Sequence, residues 1–209
     1  MLLAPKSLAV PEPRNIGPVV GSRSQQQVAF VGPFGVGKTT AVFTLCGDSV
    51  ASTDVQSSLV RARAGRHVKP STTVGLERGE WTAPDGSLVS VVGTPGQERF
   101  DLVRRSAMPR STGVVLWLFG DHEQAGLDAE LWLDFIAAEV LLDRITVAVT
   151  RVGAGDEAEA RLDAFRQIVD RFSPDIPLVA ADPRDHDDVA HVVLTARRGR
   201  SVRVVEQAG

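Results

Sequence analysis

The chain has one cysteine, Cys46, so no disulfide can form within it; this suits a reducing compartment and leaves the fold to stand on its packing. It also lacks a basic excess. A formal net charge of −3 counts against a bulk nucleic-acid binder. No run approaches the ~20 apolar residues that a membrane-crossing helix needs. The longest apolar stretches, such as Gly113 to Phe119, are strand-sized. Met1 to Lys6 open no sustained apolar segment, so no secretory signal is expected, and no terminal cysteine offers a lipid anchor. The histidines, His67, His122, His186 and His191, are scattered without metal-ligand spacing.

What is present suits one soluble α/β domain with short appendages: 209 residues, 43% of them hydrophobic, can bury a full core. Residues 1–26, with Pro5, Pro11, Pro13 and Pro18 close together, read as a Pro/Ser/Gln-rich disordered tail. The folded region is expected over 27–198, with 199–209 as a C-terminal tail. Val28 to Val31 is a short apolar strand, and Lys38 to Cys46 has helical character. Gly47 to Ser71, with Arg61, Arg63, Arg66 and Lys69, reads as a polar loop. Val74–Thr82 and Ser87–Val92 flank Ala83-Pro84-Asp85-Gly86, a turn signal between two strands. A short helix is expected over Gln97–Ser106 and a buried strand over Gly113–Phe119. Leu127–Leu142 reads as an amphipathic helix on Leu127, Leu131, Ile136, Val140 and Leu141. Ile145–Val149 and Ile176–Ala180 read as strands, Asp156–Phe172 as a helix. Asp185–Arg198 is the last helix, with Val189, Val192 and Val193 inward. Apolar strands alternating with helices imply a mostly parallel sheet of about six strands, covered on both faces, with one antiparallel edge strand from the hairpin.

Between the first strand and first helix lies Gly32-Pro33-Phe34-Gly35-Val36-Gly37-Lys38-Thr39, which satisfies G-x-x-x-x-G-K-[ST] at every fixed position and in the required context. Glycines let main-chain N–H groups curl around an anion, and the helix start adds partial positive charge. Lys38 is placed to meet the β- and γ-phosphates, and the Thr39 hydroxyl to meet Mg²⁺. The phosphate-binding set is Gly32, Phe34, Gly35, Val36, Gly37, Lys38, Thr39 and Thr40. The fold class expected is therefore the α/β P-loop NTPase.

Val91-Val92-Gly93-Thr94-Pro95-Gly96-Gln97-Glu98-Arg99-Phe100 resembles the switch II segment of Ras-like GTPases, and Ser71-Thr72-Thr73-Val74-Gly75-Leu76-Glu77 resembles switch I with the strand after it. Both loops are most similar to the bacterial conservon GTP-binding proteins, relatives of the MglA polarity GTPases. The segment Val179-Ala180-Ala181-Asp182-Pro183-Arg184 resembles that group's loop at the guanine base. The resemblance implies that Thr73 is a second Mg²⁺-linked hydroxyl, that Gly96 gives its N–H to the γ-phosphate, and that Gln97 orients the attacking water as the catalytic residue. It implies base contacts from Thr150, Arg151, Asp182 and Pro183. It also implies Mg²⁺ as cofactor, GTP and GDP as ligands, and a γ-phosphate-dependent switch with slow GTP hydrolysis in bacterial signalling. Roadblock-type regulators and a sensor-kinase-like complex are the implied partners, and the implied place is cytoplasmic, with recruitment to the membrane's inner face.

Three departures from that pattern bear on function. Gly93 stands where P-loop NTPases carry an Asp that supports Mg²⁺; Asp54 and Glu77 are carboxylates available to replace it. Phe34 replaces a small residue facing the γ-phosphate and would crowd an arginine finger. Thr150-Arg151-Val152-Gly153 stands where Asn-Lys-x-Asp reads guanine; Thr150 would brace the loop, Arg151 would lay its stem over the base, and Gly153 has no carboxylate, with Asp156 three residues on. These departures keep a second reading open: a pseudo-GTPase scaffold that holds nucleotide without significant turnover. The absence of a carboxylate after Val91-Val92 counts against a nucleotide kinase or ATPase. Trp117 is expected in the core, and Trp81 as either core or partner anchor.

Overall fold

The computed structural model describes residues 26–52, 76–96, 107–108 and 111–198. The expectations for 1–25 and 199–209, for Arg61–Lys69, for Thr73 and Asp54, and for Gln97 and the helix over 97–106 fall outside the described residues. Strand β1 (Gln26–Val31) leads into α1 (Lys38–Cys46). Then come β2 (Ala51–Ser52), β3 (Glu77–Thr82), β4 (Leu88–Gly93), β5 (Gly113–Phe119), α2 (Ala125–Ala137), β6 (Ile145–Thr150), α3 (Asp156–Val169), β7 (Leu178–Ala180) and α4 (His186–Arg198). Gln26, assigned from sequence to the tail, is the first residue of β1 and pairs with Val89.

The strands form one sheet in the order β2-β3-β4-β1-β5-β6-β7. Six strands carry it, β1, β4, β5, β6 and β7 parallel and β3 antiparallel to β4; the two-residue β2 adds a short seventh on the outer side of β3. Because successive side chains on a strand point to opposite faces, β5 feeds two cores at once. Val115 and Trp117 pack with α1 and α4 residues such as Val42, Leu45, Val189 and Val193. Val114, Leu116 and Leu118 pack with α2 and α3 residues such as Leu133, Ile136, Phe165 and Val169. Continuously apolar strands are what a sheet covered on both faces demands. This is the α/β architecture of the P-loop NTPase fold.

The hairpin forms as its turn residues require: Gly86 N–H donates to the Ala83 carbonyl at 2.8 Å, and Asp85 Oδ1 accepts from the Ser87 N–H at 3.0 Å. Asp185 caps α4, its Oδ1 accepting from the N–H groups of Asp187 and Asp188 at 2.9 and 3.1 Å. The amphipathic reading of α2 needs correcting. Leu127, Leu131 and Leu141 are 54%, 58% and 64% exposed, whereas Ala125, Ala129, Leu133 and Ile136 form the buried stripe. Ile136 and, just past the helix, Val140 are buried as the expected stripe had them, and Leu133 with the two alanines completes the inward face. Trp117 is wholly buried, edge-on to Phe30 with ring centroids 5.7 Å apart. Trp81 is half-buried against the same core.

β1 sits centrally, with β4 on one side and β5 on the other. In open α/β sheets ligands bind beyond the carboxyl ends of the strands where the strand order reverses, as it does here at β1.

Candidate functional site

The phosphate loop leaves the carboxyl end of β1 and re-enters the fold at α1. Gly32 must be glycine because an added Cβ would lie 2.1 Å from the Trp117 carbonyl oxygen on β5. Gly37, with φ +110°, turns the chain into α1 in the left-handed region that favours glycine. The Gly37 carbonyl accepts the first helical hydrogen bond, from the Ala41 N–H at 2.8 Å. Val36 and Lys38 are buried, while Phe34 is 72% exposed. Lys38 Nζ donates to the Gly32 carbonyl at 2.8 Å and the Pro33 carbonyl at 2.7 Å. The ammonium is thus pinned inside the loop by the loop's own main chain. It would meet an anion at a fixed point, with little ordering entropy left to lose.

Gly93 ends β4 directly across from Glu77 at the start of β3. Glu77 is buried, and its Oε1 accepts a hydrogen bond from the Thr39 hydroxyl at 3.1 Å. Its Oε2 lies 2.9 Å from where a Cβ on Gly93 would sit. The carboxylate of Glu77 therefore fills the space of the side chain that Gly93 lacks, beside the threonine of the phosphate loop. Glu77, one of the two carboxylates considered from sequence, is thus brought to this point. A threonine hydroxyl beside a buried carboxylate is a pair of hard oxygen donors, which suits Mg²⁺. Past Gly93, the Thr94 N–H and hydroxyl both donate to the Phe30 carbonyl, at 3.0 and 2.9 Å. That anchor carries Gly96 onto the loop, where an added Cβ would lie 2.5 Å from Phe34 N. The segment resembling switch II thus begins in backbone contact with the phosphate loop.

A cleft of about 550 Å³ runs from Gly35, Val36, Gly37 and Thr40 of the phosphate loop to Thr150–Gly153 and Ala180–Arg184. It gathers all four of the expected base-contacting residues, Thr150, Arg151, Asp182 and Pro183. The two ends are locked together, since Pro183 Cγ lies 2.6 Å from where a Cβ on Gly37 would be. Thr150 braces the β6 end through its main chain: its carbonyl accepts from Gly120 N–H at 2.7 Å, whereas its hydroxyl makes no hydrogen bond with the described residues. Arg151 takes a left-handed conformation, φ +57°, and its guanidinium carbon lies 5.0 Å from the centroid of the Phe119 ring. Asp182 is gripped by Arg184, whose Nε and Nη2 reach both carboxylate oxygens. Hydrogen bonds from the Arg184 side chain, then from its main chain, hold the Asp182 carboxyl down at about 2. Asp156 opens α3, but the acid that stands beside Gly153 is Glu157.

Glu77, Thr94 and Glu157 are the site residues that sequence pattern did not single out with a definite role. The pairing of Glu77 with Gly93 had one signal, a carboxylate at the start of the strand predicted to pair with the strand that ends in Gly93. The register decides it. Among the described residues no group of three or more His, Cys, Asp or Glu gathers as a metal site, and no helix is long and apolar enough to cross a membrane.

Fold and cleft together define the class, the P-loop nucleotide-binding fold. Solved structures agree. The cytosolic domain of the T. maritima FeoB iron transporter is similar in its GMPPNP form, with a TM-score of 0.51, 16% identity, and coverage of 82% of this chain and 62% of that one. Two GDP forms of the same domain give TM-scores of 0.56 and 0.54, again at 16% identity, and cover 84% and 86% of this chain. The chain spans 63% and 65% of the length of those two structures. No protein-family profile matches the sequence, and no functionally curated protein does either.

Proposed function

We propose that the protein is a GTP-binding molecular switch with slow, Mg²⁺-dependent hydrolysis of GTP to GDP and phosphate, acting in bacterial signalling. The observation that carries this reading is the single cleft joining a complete phosphate loop to the loops after β6 and β7. In this reading Gly35 to Thr40 wrap the phosphates with main-chain N–H groups, and Lys38 holds its charge at the β- and γ-oxygens. Thr39 and Glu77 would hold Mg²⁺, which supplies charge neutralisation at those oxygens when bound. Gly96 would couple the γ-phosphate to the segment that follows it. Gln97, by resemblance to Ras-like GTPases, orients water, and Thr73 supplies the second metal-linked hydroxyl. Thr150, Arg151, Asp182 and Pro183 form the walls around the base. The implied partners are roadblock-type regulators and a sensor-kinase-like complex at the inner face of the membrane.

Nucleotide-stripped protein titrated with GTP, GDP and ATP, with and without Mg²⁺, tests the reading. Micromolar or tighter binding of GTP and GDP, strengthened by Mg²⁺, is expected; affinities all weaker than about millimolar would overturn it. A second reading, a scaffold that binds nucleotide without turnover, is favoured by Phe34, which stands 72% exposed at the phosphate loop where an arginine finger would approach. Single-turnover hydrolysis by the wild type and Gln97→Ala separates the two. Equal rates in both proteins would favour the scaffold.

A further inference from the structure

We infer that Glu157, from the first turn of α3, is the residue that reads the purine edge, in place of the carboxylate that residue 153 lacks. The inference rests on the nucleotide-binding reading above and adds base selectivity to it. Gly153 lines the cleft. A Cβ on it would lie 3.3 Å from Glu157 Oε2 and 3.6 Å from Arg161 Nη1. The Glu157 carboxylate thus stands directly against the point from which a side chain at 153 would extend. The placement is built. Arg161 Nη2 donates to Glu157 Oε1 at 2.7 Å, while its Nη1 donates to the Val152 carbonyl at 3.0 Å and the Arg151 carbonyl at 3.3 Å. One guanidinium therefore ties the acid to the loop it serves.

Two acids, Asp182 and Asp188, line this end of the cleft, and Glu157 stands behind the lining residue Gly153; their engagement differs. Asp182 has both oxygens taken by Arg184. Asp188 Oδ2 accepts the Asp182 N–H at 2.8 Å. Glu157 has Oε1 on Arg161, and among the described residues Oε2 accepts no hydrogen bond. A carboxylate with an open oxygen accepts from the N1–H and 2-amino groups of guanine. Adenine offers neither donor on that edge, and rejecting a ligand that leaves a polar group unpaired is the stronger form of selectivity. The φ of +89° at Gly153 keeps this space clear, because an L side chain there is strained.

Calorimetric titration with diphosphates tests this. Wild-type protein is expected to prefer GDP, to bind IDP, which lacks the 2-amino group, about tenfold more weakly, and to bind ADP at least about a hundredfold more weakly. Glu157→Gln presents one acceptor and one donor, matching the N1–H and 2-oxo groups of xanthine. It should weaken GDP about tenfold to a hundredfold and strengthen XDP by at least about tenfold. The wild-type series probes the same edge without any substitution. GDP and ADP binding equally to the wild type, or a Glu157→Gln protein with unchanged GDP-to-XDP ratio, overturns the inference while leaving the switch reading intact. A wild type that binds none of these nucleotides overturns both.

Discussion

The two ends of the cleft solve the same problem with different materials. At the phosphate end Gly93 lacks a carboxylate, and Glu77 fills its place from a neighbouring strand, buried and hydrogen-bonded to Thr39. At the base end Gly153 lacks a carboxylate, and Glu157 stands in its place from a helix turn, with its side chain 66% exposed and ion-paired to Arg161. The first replacement is fixed by strand register and core packing. The second is held by long side chains in water, where an ion pair contributes only about 0–1 kcal/mol. On the proposed reading, phosphate binding would draw on the packed scaffold, while base recognition would rest on its rim, where changes need not disturb the fold.

The largest effect in this comparison should come from Lys38→Ala, which removes the pinned charge and frees two loop carbonyls. Loss of GDP affinity by at least about a hundredfold is expected in calorimetry, since each charged hydrogen bond is worth about 1.5–3 kcal/mol. Glu77→Gln is next. It keeps an acceptor for the Thr39 hydroxyl but removes the charge. The Mg²⁺ enhancement of nucleotide affinity should fall about tenfold or more, while affinity without metal holds or rises, because a negative charge near the phosphates has gone. Moving the acid tests the replacement directly. Gly93→Asp alone should destabilise the fold by about 1–3 kcal/mol, since its Cβ meets Glu77 Oε2 at 2.9 Å and Val42 Cγ2 at 3.2 Å. Combined with Glu77→Ala it should recover most of the Mg²⁺ response.

At the rim, Arg184→Ala should leave the melting temperature essentially unchanged, because its pair with Asp182 is exposed. The smallest effect is a chemical one. Cys46 sits where α1 packs on β3, and burial, with the nearby Glu80 charge adding to it, pushes its thiol up to about 12. Its folded value lies above the ordinary 9.0, so this group favours the folded state below pH 9, and that contribution is lost as pH rises toward 12. Alkylation of native protein at pH 8 should be negligible, and rapid once the protein is unfolded. Ready alkylation of the native protein would mean that β3, and Glu77 with it, is not held against α1 as described.

The local parts of this site were legible in the sequence. The phosphate loop and α1 follow from one motif and one helical stretch, and Lys38–Cys46 forms as expected. Strand β5 was readable because seven apolar residues in a row suit only a sheet buried on both faces. What sequence could not decide was non-local. That Glu77 stands in the place of the missing acid depends on its pairing with Gly93, sixteen residues apart along the chain. The α2 stripe was right at Ile136 and Val140 and wrong at Leu127, Leu131 and Leu141, because leucine count outweighed phase; Ala125, Ala129 and Leu133 supply the rest of the buried face. Glu157 was overlooked in favour of Asp156 because the helix start rotates the second residue, rather than the first, toward Gly153.

The account's central claim, that the cleft is a phosphate-anchored nucleotide site, is tested most directly by isothermal titration of stripped protein with GDP and Mg²⁺, run side by side on the wild type and Lys38→Ala. It predicts a dissociation constant in the micromolar range or tighter for the wild type, and a loss of at least about a hundredfold in the variant. Two identical, near-millimolar curves would contradict it.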